Sequence, residues 1–406
     1  MGNPVKRALL FLVILLTSCG GGGGGGAAPA SAPAGTIAST TVAPGSNVLS
    51  LYAAPASVNV NVLLASITIC TPNSSNCAVI PNLLVDTGSY GLRLLKSAIP
   101  ASIPLTRITG SGGGPLFECT QFASGYTWGS VQLADVTMAG ETAYGLPVQV
   151  IDDVSAVQNP AVPGSCNGIS IGNAAALNAN GILGIGVFPY ECGQYCASTA
   201  NNGVFFECPS ACISLAEPLN IQTQNPVPRF SSDNNGLVIV LPQLTSAGAS
   251  GLAGSLIFGI GTRSNNALGS ATVLPLDSFG NFTTLYNGQT LSGSFIDTGS
   301  NLYLFQDGAT PLCKYVAQGY CPSSTQQLSA TLQSTASATP SITVNFSVAN
   351  ADALVATGNA VFNNIAGTAT SPSSFDWGLP FLFGRTVYFA IGGSMTPAGS
   401  GPFVAF

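Results

Sequence analysis

The sequence predicts an all-β protein with two similar lobes around a central cleft, and three observations support this prediction. Short apolar segments with a period of two recur from about residue 57 onward, separated by clusters of Gly, Pro, Asn and Ser. No long stretch of the sequence has the period of an amphipathic helix. The motif Asp-Thr-Gly-Ser occurs twice, once in each half of the chain and each time after an apolar run.

The first 19 residues have the layout of a secretory signal. Lys6 and Arg7 precede an apolar run, Ala8 to Leu16, that is too short to span a bilayer as a mature helix. The run leads into Leu-Thr-Ser-Cys, which resembles a bacterial lipobox, so we expect Cys19 to be lipidated and to become the new N-terminus. An ordinary signal peptide with an incidental cysteine is the alternative. Gly20, rather than Asp, follows the cysteine, and by resemblance to sorted lipoproteins this favours the outer membrane.

Residues 20–56 are predicted to form a flexible tether. The segment begins with unbroken glycine from Gly20 to Gly26 and continues with a sequence rich in Ala and Pro, a composition that cannot bury a core. After the signal peptide (1–19) and this tether, the body divides into an N-terminal lobe, residues 57–230, and a C-terminal lobe, residues 231–406.

The composition excludes several classes of function. Only 6% of the residues are charged, and removing the leader takes two of nine basic residues, which leaves seven against fifteen acidic ones and a net charge of −8. Nucleic acid is therefore not an expected partner, because binding it requires a basic face. The chain has no histidine, which excludes Ser-His-Asp and Cys-His catalysis and most catalytic zinc sites. A hydrolase of this composition would use carboxylates as its acid and base.

Ten cysteines remain after Cys19, an even number in a chain expected to be exported, so disulfides are predicted. Two local pairs are Cys70 with Cys77 and Cys313 with Cys321. Cys192, Cys196, Cys208 and Cys212 form a cluster of four, and Cys119 and Cys166 are the remaining two. The cluster has C-x3-C spacing twice, for which a metal site is the alternative to two disulfides. Spacing alone does not decide the pairing.

The doubled motif lies at 86–89 in NLLVDTGSYGLRLL (82–95) and at 297–300 in GSFIDTGSNLYLF (293–305). Asp, Gly and Ser all favour tight turns, so two hairpin turns are one interpretation. Each copy is followed, several predicted strands later, by a glycine flanked by bulky apolar residues, in GILGIGVF (181–188) and in GLPFLFGRTVYF (378–389). This coarse repeat favours the other interpretation, in which each lobe supplies one aspartate to a shared centre.

Over residues 58–406 the chain resembles the pepsin-like aspartic peptidases, and most nearly a bacterial family of exported lipoproteins of unknown function. The doubled motif, GILGIGVF, GSLIFGIG (254–261) with VLPLDSFGNFTTLYNG (273–288), and FDWGLPFLFGRTVYFAI (375–391) carry the resemblance. It implies a membrane-anchored endopeptidase in which Asp86 and Asp297 share a proton and activate a water molecule. Such a mechanism requires no metal and no organic cofactor. The implied partners are a peptide or protein substrate and, through the lipid anchor, the bilayer.

The resemblance also implies how neighbouring residues support the two carboxylates. The glycines allow the backbone to approach the inner carboxylate oxygens, the threonines bond across to the opposite loop, and the serines hydrogen-bond the outer oxygens. The residues in these roles are Gly88 and Gly299, Thr87 and Thr298, and Ser89 and Ser300. The two serines favour an acidic pH optimum, because hydrogen bonds to a carboxylate lower its pKa.

The chain departs from the family at two places. The family covers its cleft with a hairpin flap that carries a tyrosine, and the corresponding stretch here is CTQFASGYTWGSVQLADV (119–136). If Gly125 and Gly129 take the flap glycine positions, Phe122 falls where tyrosine is expected, with Tyr126 and Trp128 as nearby alternatives. Simple hairpin packing of these aromatic residues is the other interpretation. In the second lobe, Phe-Asp-Trp-Gly (375–378) places a charge where apolar residues are usual.

Two further functions stay open on this sequence. The first is a catalytically silent pepsin-like lipoprotein that binds a protein, peptide or glycan, which the departure in the flap favours. The second is a structural lipoprotein held by disulfides, in which both motifs are turns. The distance between the carboxylates of Asp86 and Asp297 discriminates the structural role from the other two.

Overall fold

The structure is a computed structural model that describes residues 36–54, 59–152 and 160–406. Within these ranges most of the regular structure is β-strand, and three short α-helices are present: α1 (Ala174–Leu177), α2 (Gln194–Ser198) and α3 (Ala351–Val355). Short 3-10 turns lie at Lys96–Ala98, Leu219–Ile221, Val227–Arg229, Ser264–Asn266 and Leu379–Leu382. None of the described helices is long and apolar enough to cross a membrane.

The strands described before residue 230 are β1 (Ile37–Ser39), β2 (Val48–Ala53), β3 (Leu63–Cys70), β4 (Cys77–Asp86), β5 (Tyr90–Leu95), β6 (Thr106–Arg107), β7 (Leu116–Phe122), β8 (Gly125–Met138), β9 (Glu141–Ile151), β10 (Gly181–Ile185), β11 (Phe205–Glu207) and β12 (Ile213–Ser214).

The strands after residue 230 are β13 (Gly236–Val240), β14 (Gly251–Phe258), β15 (Val273–Pro275), β16 (Phe282–Tyr286), β17 (Gln289–Ile296), β18 (Tyr303–Leu304), β19 (Gln326–Gln333), β20 (Ser341–Val348), β21 (Ala366–Gly367), β22 (Asp376–Trp377), β23 (Thr386–Ala390), β24 (Met395–Thr396), β25 (Gly399–Ser400) and β26 (Phe403–Ala405).

The described strands form two main sheets and a small hairpin. One sheet of seven strands contains only strands of the second half, β16 to β22. The larger sheet, of 17 strands, joins the first half to β13, β14, β15, β23 and β26. Strand β2 makes this connection, because it pairs antiparallel with both β14 and β3. The prediction of an all-β, two-lobed fold is confirmed.

The period of two in the sequence accounts for how the strands pack. In β3, Ala65, Ile67 and Ile69 are buried and alternate with half-buried Ser66 and Thr68, as expected for a strand with one face on the core. Each fully buried isoleucine contributes about 1.5–3 kcal/mol of transfer free energy. The second lobe has an aromatic core instead, in which Phe375 stacks on Trp377 with ring centroids 4.1 Å apart and on Phe305 at 4.7 Å.

Five disulfides join the ten predicted cysteines, so the disulfide prediction is confirmed. The pairs are Cys70–Cys77, Cys119–Cys166, Cys192–Cys196, Cys208–Cys212 and Cys313–Cys321. The cluster with C-x3-C spacing therefore forms two local disulfides, and its four cysteines have no free thiols that could bind a metal. Five disulfides are typical of a protein exported to an oxidising compartment.

The predicted tether is wrong for residues 37–39 and 48–53. Strand β1 pairs in parallel with β14, with Ile37 opposite Gly251, and β2 lies on the other part of β14. The reason is local: Leu49 and Leu51 alternate with polar residues, and both are buried, so this short stretch buries apolar surface although the surrounding sequence is rich in Ala and Pro. Residues 1–35, including Cys19 and the predicted lipobox, lie outside the described residues. The lobe boundaries stay a prediction.

Candidate active site

Each aspartate of the doubled motif lies at the C-terminal end of a strand. A strand from later in the chain pairs with that strand. Asp86 ends β4, and β10 runs parallel to β4 and antiparallel to β5. Asp297 follows β17 directly, and β22 runs parallel to β17 and antiparallel to β18. Gly184 and Gly378 lie where these strands pass the motif. A Cβ at Gly378 would lie 2.1 Å from the Leu302 carbonyl oxygen, and one at Gly184 would lie 2.7 Å from that of Gly91. This accounts for the repeated glycines.

The two carboxylates meet at the amide of Gly88. The Gly88 N–H donates to Oδ1 of Asp86 at 2.8 Å and lies 3.1 Å from Oδ1 of Asp297, so one backbone amide contacts both carboxylates. The Gly299 N–H donates to Oδ1 of Asp297 at 2.7 Å. A Cβ on Gly88 would lie 2.6 Å from the carboxyl carbon of Asp297, and no side chain fits in that space. Two separate hairpin turns do not describe this arrangement.

The serines of the motif bind the outer carboxylate oxygens. Ser89 Oγ donates to Asp86 Oδ2 at 2.5 Å, and Ser300 Oγ lies 2.9 Å from Asp297 Oδ2. Ser300 has a second carboxylate contact, because its Oγ also lies 2.6 Å from Oδ2 of Asp376. Asp86 and Asp297, the dyad, therefore have different surroundings: among the described residues, only the serine bound to Asp297 also contacts a third carboxyl group.

The threonines connect the two motifs across the lobes. The Thr87 N–H donates to Thr298 Oγ1 and the Thr298 N–H donates to Thr87 Oγ1, both at 3.0 Å. Each hydroxyl then donates to the carbonyl of the residue that precedes the opposite aspartate, Thr298 to Val85 at 2.7 Å and Thr87 to Ile296 at 3.3 Å. All four groups are buried, so this exchange holds the two motifs in a fixed relation.

Burial dominates the electrostatics of the pair. Asp86 and Asp297 are 1% and 0% exposed, and desolvation raises the pKa of both carboxyls. For Asp86 the contact with Asp297, the hydrogen bond from Ser89 and the positive charge of Arg93 reduce this rise in pKa. For Asp297 the nearby Asp86 and Asp376 increase it. Because the carboxyls titrate as a pair, this asymmetry favours the shared proton on Asp297.

A buried ion network next to the motif was missed by sequence reasoning. The Arg93 guanidinium is fully buried and contacts Glu118 at 3.1 Å and Glu191 at 2.7 Å. It also donates to Thr120 Oγ1 and to the Tyr90 carbonyl. Burial works to lower the pKa of Arg93, but its two glutamates raise it on balance. Burial raises the pKa of Glu191 to about 7, against the attraction of Arg93. The available signal was a charged residue inside the apolar run YGLRLL, in a chain with nine basic residues.

A cavity of about 220 Å³ lies beside the pair and receives residues from both lobes. Its wall next to the motif is Thr87 and Gly88, and most of the remaining side chains are apolar or aromatic. The apolar and aromatic residues include Tyr90, Val187, Leu276, Phe282, Phe295 and Ile296. A second cavity of about 230 Å³ shares Tyr90 with the first and is lined by further aromatic residues and Glu191.

The predicted flap forms a hairpin, but its candidate residues pack within the first lobe. Phe122 lies opposite Gly125 at the turn between β7 and β8 and is 4% exposed. Its ring centroid lies 5.8 Å from the guanidinium carbon of Arg93. Trp128 stacks on Phe117 at 5.4 Å, and Tyr126 exchanges backbone hydrogen bonds with residues 169 and 171. In the part of the chain that the structure describes, none of the four candidates lines the cavity beside Gly88.

Comparisons with known proteins agree with this architecture. The family model described as "Protein of unknown function (DUF3443)" matches residues 43–406. A comparison with curated proteins gave no match. Among solved structures, an aspartic proteinase from Irpex lacteus is similar at a TM-score of 0.50 and 15% sequence identity, over 88% of this chain and 96% of that one. The chain therefore belongs to the DUF3443 family, and it has the all-β, bilobal fold of the pepsin-like aspartic proteinases.

Proposed function

We propose that the protein is an aspartic endopeptidase, exported and attached to a membrane through Cys19. The observation that carries the proposal is the single amide of Gly88 in contact with both carboxylates, one from each lobe and both buried. Two carboxylates held this closely cannot both ionise readily, so they share a proton. That is the state in which one group can act as a base while the other acts as an acid.

The reaction follows from the asymmetry of the pair. Asp86, whose pKa the charge of Arg93 works to lower, accepts a proton from a water molecule held between the carboxyls. Asp297 donates its proton to the oxygen of the scissile carbonyl as the water oxygen bonds to the carbonyl carbon. The tetrahedral intermediate then collapses: one of its hydroxyl groups returns a proton to the ionised Asp297, the C–N bond breaks, and the proton held by Asp86 passes to the leaving amine, which restores the starting state of the pair. The cavity beside Gly88 suits bulky apolar side chains of an extended peptide, because Leu276, Phe282 and Phe295 line it.

The test is cleavage of an unfolded protein, such as denatured casein, by the purified protein from about pH 3 to about pH 7, a range in which coupled carboxyls titrate. Cleavage should be inhibited by pepstatin and should be lost in Asp86→Asn and in Asp297→Asn, while both variants keep the far-UV circular dichroism of the parent. Cleavage that persists in the double variant would rule the proposal out.

A second candidate is a pepsin-like protein that binds a peptide or protein without cleaving it. The packing of Phe122, Tyr126 and Trp128 within the hairpin, away from the cavity beside Gly88, favours it, because a flap side chain over the substrate would be missing. It predicts stable binding of pepstatin by the folded protein with no turnover at any pH in the same assay. Measurable turnover would exclude it.

A further inference from the structure

Asp376 is a third buried carboxyl at the candidate site. It lies on β22 at the place where a charge replaces the usual apolar residue, opposite Phe295 on one neighbouring strand and Leu304 on the other. It is 2% exposed. Its Oδ2 lies 2.6 Å from Ser300 Oγ, which in turn lies 2.9 Å from Oδ2 of Asp297. A single hydroxyl thus connects Asp376 to the dyad.

The hydrogen bonds of Ser300 require a proton on one of its two acid partners, Asp297 or Asp376, and the surroundings of Asp376 favour that residue as the carrier. Ser300 has one hydroxyl proton and can donate it to one carboxylate only. Oδ1 of Asp376 is buried and has no hydrogen-bond partner among the described residues, and a negative charge on a carboxylate with such an oxygen is unfavourable. If Ser300 donates to Asp297, the contact at 2.6 Å is satisfied when the carboxylic acid of Asp376 donates to Ser300 Oγ.

The groups that act on Asp376 are few. The nearby acids are Asp297, on the other side of Ser300, and Asp86. An ionised Asp86 opposes a negative charge on Asp376, and a charge on Asp376 raises the pKa of Asp297. Tyr303, on the paired strand β18, interacts through its hydroxyl with Arg385. Burial and the charge of Asp86 raise the pKa of Asp376 well above its ordinary range, although the hydrogen bond with Ser300 lowers it.

We propose that Asp376 is a positioning residue of the site, a neutral carboxylic acid that orients the Ser300 hydroxyl toward Asp297 and limits the site to acidic conditions. The inference rests on the proposed function and extends it. When Asp376 loses its proton, it competes with Asp297 for the Ser300 hydroxyl and places a second negative charge one hydroxyl away from the dyad. The working arrangement of the carboxyls is then lost as the pH rises.

The first experiment compares pH profiles of kcat/KM for the parent, Asp376→Asn and Asp376→Leu. The Asn variant keeps the size and a donor to Ser300 but cannot ionise. We expect it to keep the parent activity in acid within about twofold and to raise the ratio of activity at neutral to acidic pH about tenfold, which corresponds to one pKa unit. The Leu variant lacks the donor and should lose about fivefold in acid, the size of one lost hydrogen bond.

The matched control is Asp135→Asn, because Asp135 is also a buried aspartate, 4% exposed, and its oxygens accept the backbone N–H groups of Asn73 and Gly145. It should lower stability without moving the pH profile. In Ser300→Ala, the further change Asp376→Asn should have a smaller effect on the profile than in the parent, because only the negative charge of ionised Asp376, and no longer its competition for the hydroxyl, remains to be removed. A profile of Asp376→Asn that coincides with the parent profile, or that moves toward acid, would overturn the inference.

The second experiment does not depend on peptidase activity. The infrared spectrum of the parent minus that of Asp376→Asn, at about pH 6 and so well above the ordinary pKa of an aspartic acid, should contain the carbonyl band of one protonated carboxylic acid, because the bands of the other protonated carboxyls are common to both proteins and cancel. If the band is present and no substrate is cleaved, the proposed function fails while the protonation of Asp376 stands. If the band is absent, Asp376 is ionised, and the inference fails even for an active peptidase.

Discussion

At the scale of single residues, Gly88 sets how closely the two carboxylates can approach. In Gly88→Ala the new Cβ would lie 2.6 Å from the carboxyl carbon of Asp297, so one of the aspartates must move. A displacement of about 1 Å at a reacting group can cost about 100-fold in rate, and we expect at least that loss in kcat/KM. Gly251→Ala is the control, because its Cβ would meet only Ile37 at 3.5 Å. Parent-like activity in Gly88→Ala would mean that the carboxylates need not share this amide.

Thr298 tests the exchange between the lobes at the same scale. Thr298→Val preserves the shape of the side chain but removes the hydroxyl that accepts the Thr87 N–H and donates to the Val85 carbonyl. Each buried group left without a partner costs about 1–3 kcal/mol, and two groups are affected, so the free energy of unfolding, measured by denaturant titration, should fall by about 2–6 kcal/mol. Thr298→Ser keeps the hydroxyl and should lose much less. Equal stabilities of the Val and Ser variants would contradict the role assigned to the exchange.

At the scale of elements, the ion network joins β5, β7 and the loop after β10. Two glutamates, Glu118 and Glu191, face the single guanidinium of Arg93, so one negative charge in this buried site is in excess when both are ionised. Burial, and to a lesser extent repulsion from Glu118, therefore raises the pKa of Glu191 to about 7 from the ordinary 4.5, against the attraction of Arg93. A neutral Glu191 at acidic pH leaves one carboxylate paired with one guanidinium.

The pH dependence of stability follows from that shift. Because the folded pKa of Glu191 is the higher one, its stabilising contribution is fully present below about pH 4.5 and is lost as the pH rises through about 7. The shift corresponds to about 3 kcal/mol. Glu191→Gln, which keeps the size of the side chain, should therefore have a free energy of unfolding that falls less than the parent's between about pH 5 and pH 8. A parent-like slope in the variant would assign the pH dependence to other groups.

At the scale of the whole molecule, the prediction concerns attachment. Cys19→Ala should move the protein from the membrane fraction to the soluble fraction of the producing cell, because a lipid anchor needs the cysteine thiol. Specific cleavage activity should be unchanged, since the active-site candidates lie far along the chain from residue 19. Retention of the variant in the membrane fraction would refute lipidation at this residue.

The fold and the meeting of the motifs were predictable because their signals are local. Alternation with a period of two identifies strands, and the apolar runs before Asp86 and Asp297 identify the strands that end in each motif. The glycines at 184 and 378 belong to the same coarse repeat. The short β2 strand was not predicted, because the Ala- and Pro-rich composition around it dominated the interpretation of residues 20–56.

The contacts that tune the site were not predictable from one sequence. Arg93 and Glu118 are 25 positions apart, and Ser300 and Asp376 are 76 positions apart. Neither spacing carries a periodic signal, since the contacts arise only when distant strands align in one sheet. The sequence did mark Asp376 as unusual, but only the structure relates it to the hydroxyl of Ser300. The packing of Phe122 against Arg93 likewise depends on tertiary contacts.

Strand β2 has a practical consequence for anyone who prepares a shortened gene. It pairs with β14 of the second half and with β3 of the first, so a gene that starts at the predicted body, residue 57, would remove the strand that joins the two halves of the large sheet. This truncation would expose unpaired backbone N–H and C=O groups at the edges of β14 and β3, and such edges promote aggregation. A recombinant version should therefore retain the chain from Thr36 onward, and a failed preparation that starts later would say nothing about enzymatic activity.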